Sequence, residues 1–431
     1  MSATMKSAST VPWWREPTRD QWYAYTAAWL GWTLDAFDFT VFLVLIVPIA
    51  KQFDAPLTWV ALVGTLTLWM RLLGAVAAGW MADRLGRRTP LMISILWYSI
   101  CNFIAGFSPT FLFLLFFRTL LGIGMGAEWP AGAALAMETW PTRSRGLMSS
   151  MLQNSWALGY LISALLYATI YDYIGWRGML WLGVLPALAV VWIRFYVKEP
   201  EVWVENKRQQ KEKDAEMKAP LIAIFRRDML WNTVTACLWM ASGFITYYST
   251  FGLFATWLTK DLHMSAAAVG WPLVLTNIAT FVSAFAWGAL ADRIGRRWAM
   301  ILPAAIGLFI SPIYLMSSNY TLIAVGFALQ GAFAGSMYGQ IPAYMNERFP
   351  TEVRATASAF CYHQGAIFGG MVPLVLTYFA VNWGLGFALP MLATASGAIV
   401  IYCLSLLAYP DTHGQEITAD LQLVRATASG D

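Results

Sequence analysis

Five ionisable side chains stand inside long apolar stretches of this chain: Asp35, Asp38, Arg71, Arg118 and Glu128. A charge at bilayer depth costs about 2.5–3.5 kcal/mol even on insertion scales, so it marks a candidate for function. Asp35 and Asp38 are three residues apart, hence on neighbouring faces of one helix. Burial, mutual repulsion and any nearby arginine together set the proton affinity of such a pair. A carboxylate balanced in that way can take up and release a proton in each cycle. Arg71 and Arg118 each offer a planar fork that fits a carboxylate. Either can bind an anionic substrate, and either can equally neutralise an aspartate. Glu128 follows Gly122, Gly124 and Gly126, a ladder that lets helices approach closely. It is a candidate for proton transfer or for an inner gate.

The elements around these groups are membrane spans. The chain has 431 residues, 58% hydrophobic and 12% charged, against about 25% charged in soluble domains. Its apolar runs reach roughly 20 residues, enough to cross about 30 Å of hydrocarbon. Twelve spans are expected, near 22–50, 57–82, 89–108, 110–138, 145–171, 177–197, 229–259, 265–291, 298–317, 320–347, 354–380 and 384–409. Pro56, Pro109, Pro141 and Pro350 fall at or near the breaks, where a missing N–H costs least. This divides the chain into a tail 1–21, a six-helix unit 22–197, a charged linker 198–228, a second unit 229–409 and a tail 410–431.

Lys6, Arg15, Arg19, Arg84, Arg87, Arg88, Arg143, Arg145, the linker, Arg293, Arg296, Arg297, Arg348, Arg354 and Arg425 share one side of the membrane, against Lys51, Arg177 and Lys260 on the other. The positive-inside bias puts both termini in the cytoplasm. The start lacks the pattern of a cleavable signal, and a multi-pass protein of the plasma (inner) membrane, surrounded by lipid, is expected. The four cysteines lie inside apolar runs and the three histidines are scattered. No metal site, cofactor loop or nucleophile–base pair is expected, so a membrane-embedded enzyme is disfavoured. The net charge of +4 does not point to nucleic acid. A monomer is expected.

GWMADRLGRR from Gly79 returns as GALADRIGRR from Gly288, an offset of 209, and ETWPTRSRG from Glu138 returns as ERFPTEVRA at the same offset. Two motifs at one spacing indicate a duplicated six-helix unit. In each loop Gly86 or Gly295 permits a tight turn, and Asp83 or Asp292 can cap or pair at the helix end. Gly79, Arg84, Arg87 and Arg88, with Gly288, Arg293, Arg296 and Arg297, complete the two loops. Their place at the membrane surface fits a conformational switch better than substrate chemistry. The duplication did not keep the charges: at offset 209 the five ionisable residues meet Phe244, Tyr247, Thr280, Phe327 and Met337.

GxxADRxGRR between the second and third spans resembles the signature loop of the major facilitator superfamily, and RTLLGIGMG (118–126) resembles its fourth-helix RxxxGxGxG pattern. The resemblance covers nearly the whole chain. It implies an all-α membrane protein of twelve helices in two six-helix bundles related by an internal repeat. LDAFDF (34–39) is similar to the first-helix DGFD pattern of aromatic-acid and sialate proton symporters, with Ala36 for glycine. GMGAEWPAG (124–132) and VKEPEVWVEN (197–206) resemble segments of the sialate:proton symporter family, which includes lactate and pyruvate carriers. That resemblance implies inward symport of a proton with a small organic acid anion, and a proton-coupling role for Arg118. Sugar porters share EP-type and YPDTHG-type segments but lack the first-helix acidic pair. A drug:proton antiporter is disfavoured because QNSWALGYLISALL (153–166) lacks the proline of their fifth-helix signature.

Neutral partners for the anion are expected in the other half and in the fifth span. Gln153, Asn154, Tyr247, Tyr248, Asn277, Tyr338, His363 and Gln364 carry amide, phenol or imidazole groups suited to carboxylate and hydroxyl recognition. Interhelical hydrogen bonding is the competing role for each. His363 is the one histidine within a span and can gain charge near neutral pH.

Overall fold

Backbone without water must satisfy its own hydrogen bonds, so each apolar run closes as a helix. The computed structural model describes residues 12–214 and 216–423. Lys6 and Arg425, with the outer parts of both tails, lie outside the described residues. In the first half, α1 (Arg19–Phe53) starts on a capping box between Thr18 and Gln21. It is followed by α2 (Leu57–Leu85), α3 (Arg88–Ala105), α4 (Phe111–Thr139) and α5 (Arg145–Trp181). Gly175, at φ 64°, splits α5 into two rods, and the second continues through a short turn (Leu182–Val184) into α6 (Ala187–Tyr196). The linker carries α7 (Glu201–Glu212) and α8 (Pro220–Ala223). The second half holds α9 (Arg227–Thr250), α10 (Phe254–Lys260), α11 (Ala266–Ile294), α12 (Arg296–Leu315), α13 (Tyr320–Gln330), α14 (Ile341–Arg348), α15 (Arg354–Asn382) and α16 (Ala388–Leu407).

These elements make the twelve-helix, two-bundle fold. Its rods differ from uninterrupted spans in three places, the first being the turn Leu182–Val184 within the sixth. The seventh is broken between α9 and α10, and the tenth passes through a π turn at Gly331–Gly335. Both glycines of that turn lie against α11. A Cβ on Gly331 would stand 2.7 Å from the Thr276 carbonyl oxygen, and one on Gly335 2.8 Å from Thr280 Oγ1.

Packing repeats between halves: α1 lies on α5 as α9 lies on α15, and α2 on α4 as α11 on α13. The bundles meet through two equivalent contacts, α2 with α15 and α11 with α5. The glycine ladder of α4 serves its packing. A Cβ on Gly126 would fall 2.0 Å from the Arg71 carbonyl oxygen, so α2 and α4 touch backbone to backbone.

The end carrying the repeated loops is strapped by the segment after α16. Arg145 donates to the Gln415 carbonyl, Thr351 to that of Thr418 and Asn206 to that of Ala419. Glu352 Oε1 accepts from the Gln422 and Leu423 N–H groups. The strap thereby ties both bundles and α7 together.

Candidate functional site

The charges of the first half converge on the bundle interior. Arg71, on α2, donates from Nη2 to Asp35 Oδ2 at 3.1 Å, and both side chains are almost fully buried. This pair is incomplete: Asp35 Oδ1 and Arg71 Nε have no partner among the described residues. Aromatic rings flank the guanidinium, with its Cζ 5.2 Å from the Phe39 ring and 5.7 Å from that of Trp156. A delocalised cation lies well against such faces.

Asp38 is not paired in the same way. Its Oδ1 accepts from Asn102 Nδ2 at 3.0 Å, while Asn102 Oδ1 accepts from Arg118 Nη1 at 2.8 Å. Arg118 reaches only the backbone oxygen of Asp38, at 3.4 Å, and lies 4.5 Å from the Phe42 ring. Glu128 is fully buried, and neither carboxyl oxygen has a partner among the described residues. It sits in a small cavity with Trp32, Trp129 and Gly132, and Gly31 leaves the room it occupies. It makes no ion pair among the described residues, so it stands apart from the ion-pair clusters at the loop end.

Toward the loop end the bundles close on aromatic rings. Trp129 of α4 stacks on Tyr362 of α15 at 3.9 Å between centroids. Trp32 packs on Trp156, and Phe244 packs edge-on to Tyr362.

The repeated loops form a mirrored pair of contacts between the bundles. Asp83 accepts from the N–H groups of Ala355 and Thr356, at the start of α15 in the opposite bundle. Asp292 accepts from those of Gly146 and Leu147, at the start of α5. Each aspartate thus caps a helix of the other bundle, where the free N–H groups and helix dipole favour an anion. Arg87 pairs with Asp83 at 2.9 Å and with Glu138 at 2.6 Å, and Arg354 crosses between bundles to Glu138 at 2.7 Å. The second copy repeats this with Arg296, Asp292, Glu347 and Arg145. Gly79 and Gly288 let the helices close to this distance. A Cβ on Gly79 would lie 2.7 Å from Thr356 Cα, and one on Gly288 2.9 Å from Ser150 Cβ.

A carboxylate stands behind each loop. Glu199 accepts from the N–H groups of Arg87 and Arg88, and Asp411 from those of Arg296 and Arg297. Gly86 and Gly295, at φ 105° and 96°, make the turns that present these N–H groups. Burial raises the Glu199 carboxyl above its ordinary range, and the two N–H bonds oppose that rise. Arg84 and Arg293 take no part in the crossing bonds. Arg84 lies 3.6 Å from Glu216 of the linker, and Arg293 is exposed. The side chains of Arg88 and Arg297 donate to the Val197 and Tyr409 carbonyls.

The model of the Major Facilitator Superfamily matches residues 28–256 and 242–427. A probable 4-methylmuconolactone transporter of Cupriavidus pinatubonensis is 30% identical over 410 residues, covering 93% of each chain. The chain belongs to the major facilitator superfamily. The sialic acid transporter NanX of Escherichia coli is 27% identical, over 90% of this chain and 95% of that one. The cis,cis-muconate transport protein of Acinetobacter baylyi is 25% identical, over 86% and 91%. The proton:xylose symporter XylE, bound to 6-bromo-6-deoxy-D-glucose, shares the fold with a TM-score of 0.73 at 17% identity, covering 94% of this chain and 99% of that one. The protein is therefore a multi-pass membrane transporter and not an enzyme. Among the described residues no group of His, Cys, Asp or Glu is placed to hold a metal.

Within this superfamily member the neutral polar candidates divide. Gln153 accepts from Trp129 Nε1 at 3.1 Å, tying the amide to the aromatic wall. Tyr248 stacks on Phe244, and Tyr247 lies among Tyr248, Phe251 and Tyr338. His363 is buried, its Nδ1 is 3.0 Å from the Ala359 carbonyl, and Nε2 has no partner among the described residues. The others are occupied by backbone. Asn154 donates to Ser150, Asn277 to Leu273 and Tyr338 to Gly243. Gln364 bridges to the carbonyls of Cys237 and Cys361. Asn277 is also exposed on α11. The structure adds Asn102, Trp129 and Tyr362, which residue type alone does not single out. Asn102 is uncharged, and the two aromatics belong to a chain with 23 Trp and 18 Tyr.

Proposed function

We propose that this transporter is a symporter that carries an organic acid anion inward together with a proton, by alternating access. The observation that carries the reading is the half-satisfied Arg71–Asp35 pair at the centre, walled by aromatic rings. A substrate carboxylate takes the guanidinium, and a proton neutralises the aspartate that is displaced. Without the proton, that displacement would leave an unpaired buried charge, the costly outcome for a broken pair. Loaded and empty forms are both electrically satisfied, and the half-loaded forms are not, which couples the two cargoes. Asp38, joined to Arg118 through Asn102, takes up this same proton and passes it to and from Asp35, and Glu128 offers a further buried carboxyl. Gln153, Tyr247, Tyr248 and His363 supply the neutral side of the pocket. Asn154, Asn277, Tyr338 and Gln364 contribute to it through their helices.

The units 22–197 and 229–409 rock about this centre, with the linker 198–228 joining them. The loop end faces the cytoplasm with both tails, and the mirrored contacts act as gates that hold it shut while the cargo site is open to the other side. The names of relatives as muconate, muconolactone and sialic acid transporters support an acid as cargo. The aromatic walls favour a flat or unsaturated acid among them, and the protein acts as a monomer in the inner membrane.

Adding such an acid, fully ionised at the assay pH, to a weakly buffered suspension of proteoliposomes is expected to raise the external pH faster than with protein-free vesicles. Labelled acid entering without any such rise would contradict symport. The protein-free control removes passive entry of the neutral acid.

A further inference from the structure

Asn102 lies on α3 between two groups of opposite charge, and all three are buried, with Asn102 and Asp38 fully enclosed. An amide is the side chain that serves both neighbours at once, donating from Nδ2 to a carboxylate and accepting at Oδ1 from a guanidinium. It does both here, at 3.0 Å to Asp38 and 2.8 Å from Arg118. Among the described residues Asp38 Oδ2 and Arg118 Nε are left without partners. The amide is held in place from the far side by Gly183, in the turn before α6. A Cβ there would lie 2.0 Å from Asn102 Nδ2 and 2.7 Å from Asp38 Oδ1.

We propose that Asn102 is a positioning residue that keeps Asp38 and Arg118 from closing into a direct ion pair. This rests on the proton-symport reading. With the amide between them, Asp38 keeps an oxygen free to take a proton, and Arg118 stays a cation that no carboxylate has claimed. A directly paired Asp38 would hold its charge too firmly to cycle, since an adjacent arginine typically favours the charged form of an aspartate by about 1–3 pH units. The other charged or titratable groups around Asp38 are Asp35 on its own helix, Arg71 on α2, Glu128 further along α4, and Tyr98 and Cys101 on α3. At this level α5 meets α1 through Gly159 and Ser163, which carry no charge.

The test is the pH dependence of labelled-acid uptake by proteoliposomes, measured for the unmodified protein, Asn102→Ala, Asn102→Asp, Gly183→Ala and Asp38→Asn. Asn102→Ala lets the pair close, so its midpoint is expected to move at least about one unit toward acid pH. Asn102→Asp gives Arg118 its own carboxylate and repels the charge on Asp38, so its midpoint moves the opposite way. Gly183→Ala crowds both partners of the Asn102–Asp38 bond and breaks it, so its midpoint is also expected to leave that of the unmodified protein, which keeps the test open if Asn102→Ala fails to fold. Unchanged midpoints with lowered maximal rates would overturn the inference and make Asn102 a packing residue. If Asp38→Asn retains the full pH dependence, the symport reading itself has failed at Asp38, an outcome distinct from the first.

Discussion

Asp38→Asn is expected to abolish concentrative uptake while exchange of labelled for unlabelled acid across the membrane continues. Asparagine has nearly the shape of a protonated aspartate but holds no proton to release. The loaded transporter can still cross between its two states, and the step that resets it by proton release is blocked. One proton moving down a gradient of one pH unit supplies about 1.4 kcal/mol, or about tenfold accumulation of a co-transported solute. The unmodified protein should approach that ratio and Asp38→Asn should stay near unity. Flow assays on one proteoliposome preparation, run in accumulation and in exchange mode, separate the two. Accumulation unchanged in the variant would remove Asp38 from the coupling.

The second large effect is expected at the gates. In the loop-closed state Asp83 and Asp292 each accept two N–H groups from the opposite bundle. Opening at that end breaks these four bonds, whereas the pairs Arg87–Asp83 and Arg296–Asp292 stay within their own bundles. Asparagine removes the charge and one acceptor oxygen, at about 1–2 kcal/mol per gate for a charge-assisted bond at a helix start. The double variant Asp83→Asn, Asp292→Asn should therefore shift the balance toward the loop-open state by about 2–4 kcal/mol, or roughly 30- to 700-fold. Leu85 on α2 and Arg293 on α11 are exposed at the loop end of opposite bundles. Spin labels at these positions, with the four native cysteines replaced, should report a longer distance population in the double variant. An unchanged distance distribution would show that the capped aspartates do not hold the gate.

The architecture was legible because it is written in periodic and repeated features. Apolar runs of span length, prolines at their ends and two motifs at an offset of 209 specify a duplicated twelve-helix bundle. The structure uses that offset literally: Asp83 reaches Ala355 and Thr356 as Asp292 reaches Gly146 and Leu147. The sequence could place the aspartates at helix ends, but not reveal that the capped helices belong to the opposite bundle, because a cap made between distant segments leaves no local spacing. The charged centre was legible for a similar reason, since an ionisable residue in an apolar run stands out singly. Asp35 with Arg71 came together as one of the alternatives required, while Asp38 and Arg118 turned out to be joined by an amide.

What was hidden is neutral. Asn102 looks like any polar residue that bonds across helices, and only its two neighbours give it meaning. Trp129 and Tyr362 were lost among many aromatics that also serve the membrane interface. Residue type also favoured Asn154, Asn277, Tyr338 and Gln364, whose polar atoms the structure spends on backbone carbonyls. A helix interior offers such carbonyls everywhere, so polarity in a span is weak evidence for contact with cargo. The π turn after Gln330 was equally invisible, because its glycines read in sequence as ordinary close-packing residues.

The central claim is that downhill proton movement drives uphill movement of an organic acid anion through this protein. The most direct test is accumulation of a labelled acid in proteoliposomes held one pH unit more alkaline inside than outside. Accumulation approaching about tenfold, abolished by a proton ionophore, is the expected result. Equilibration to the same level inside and outside, whatever the imposed gradient, would contradict it.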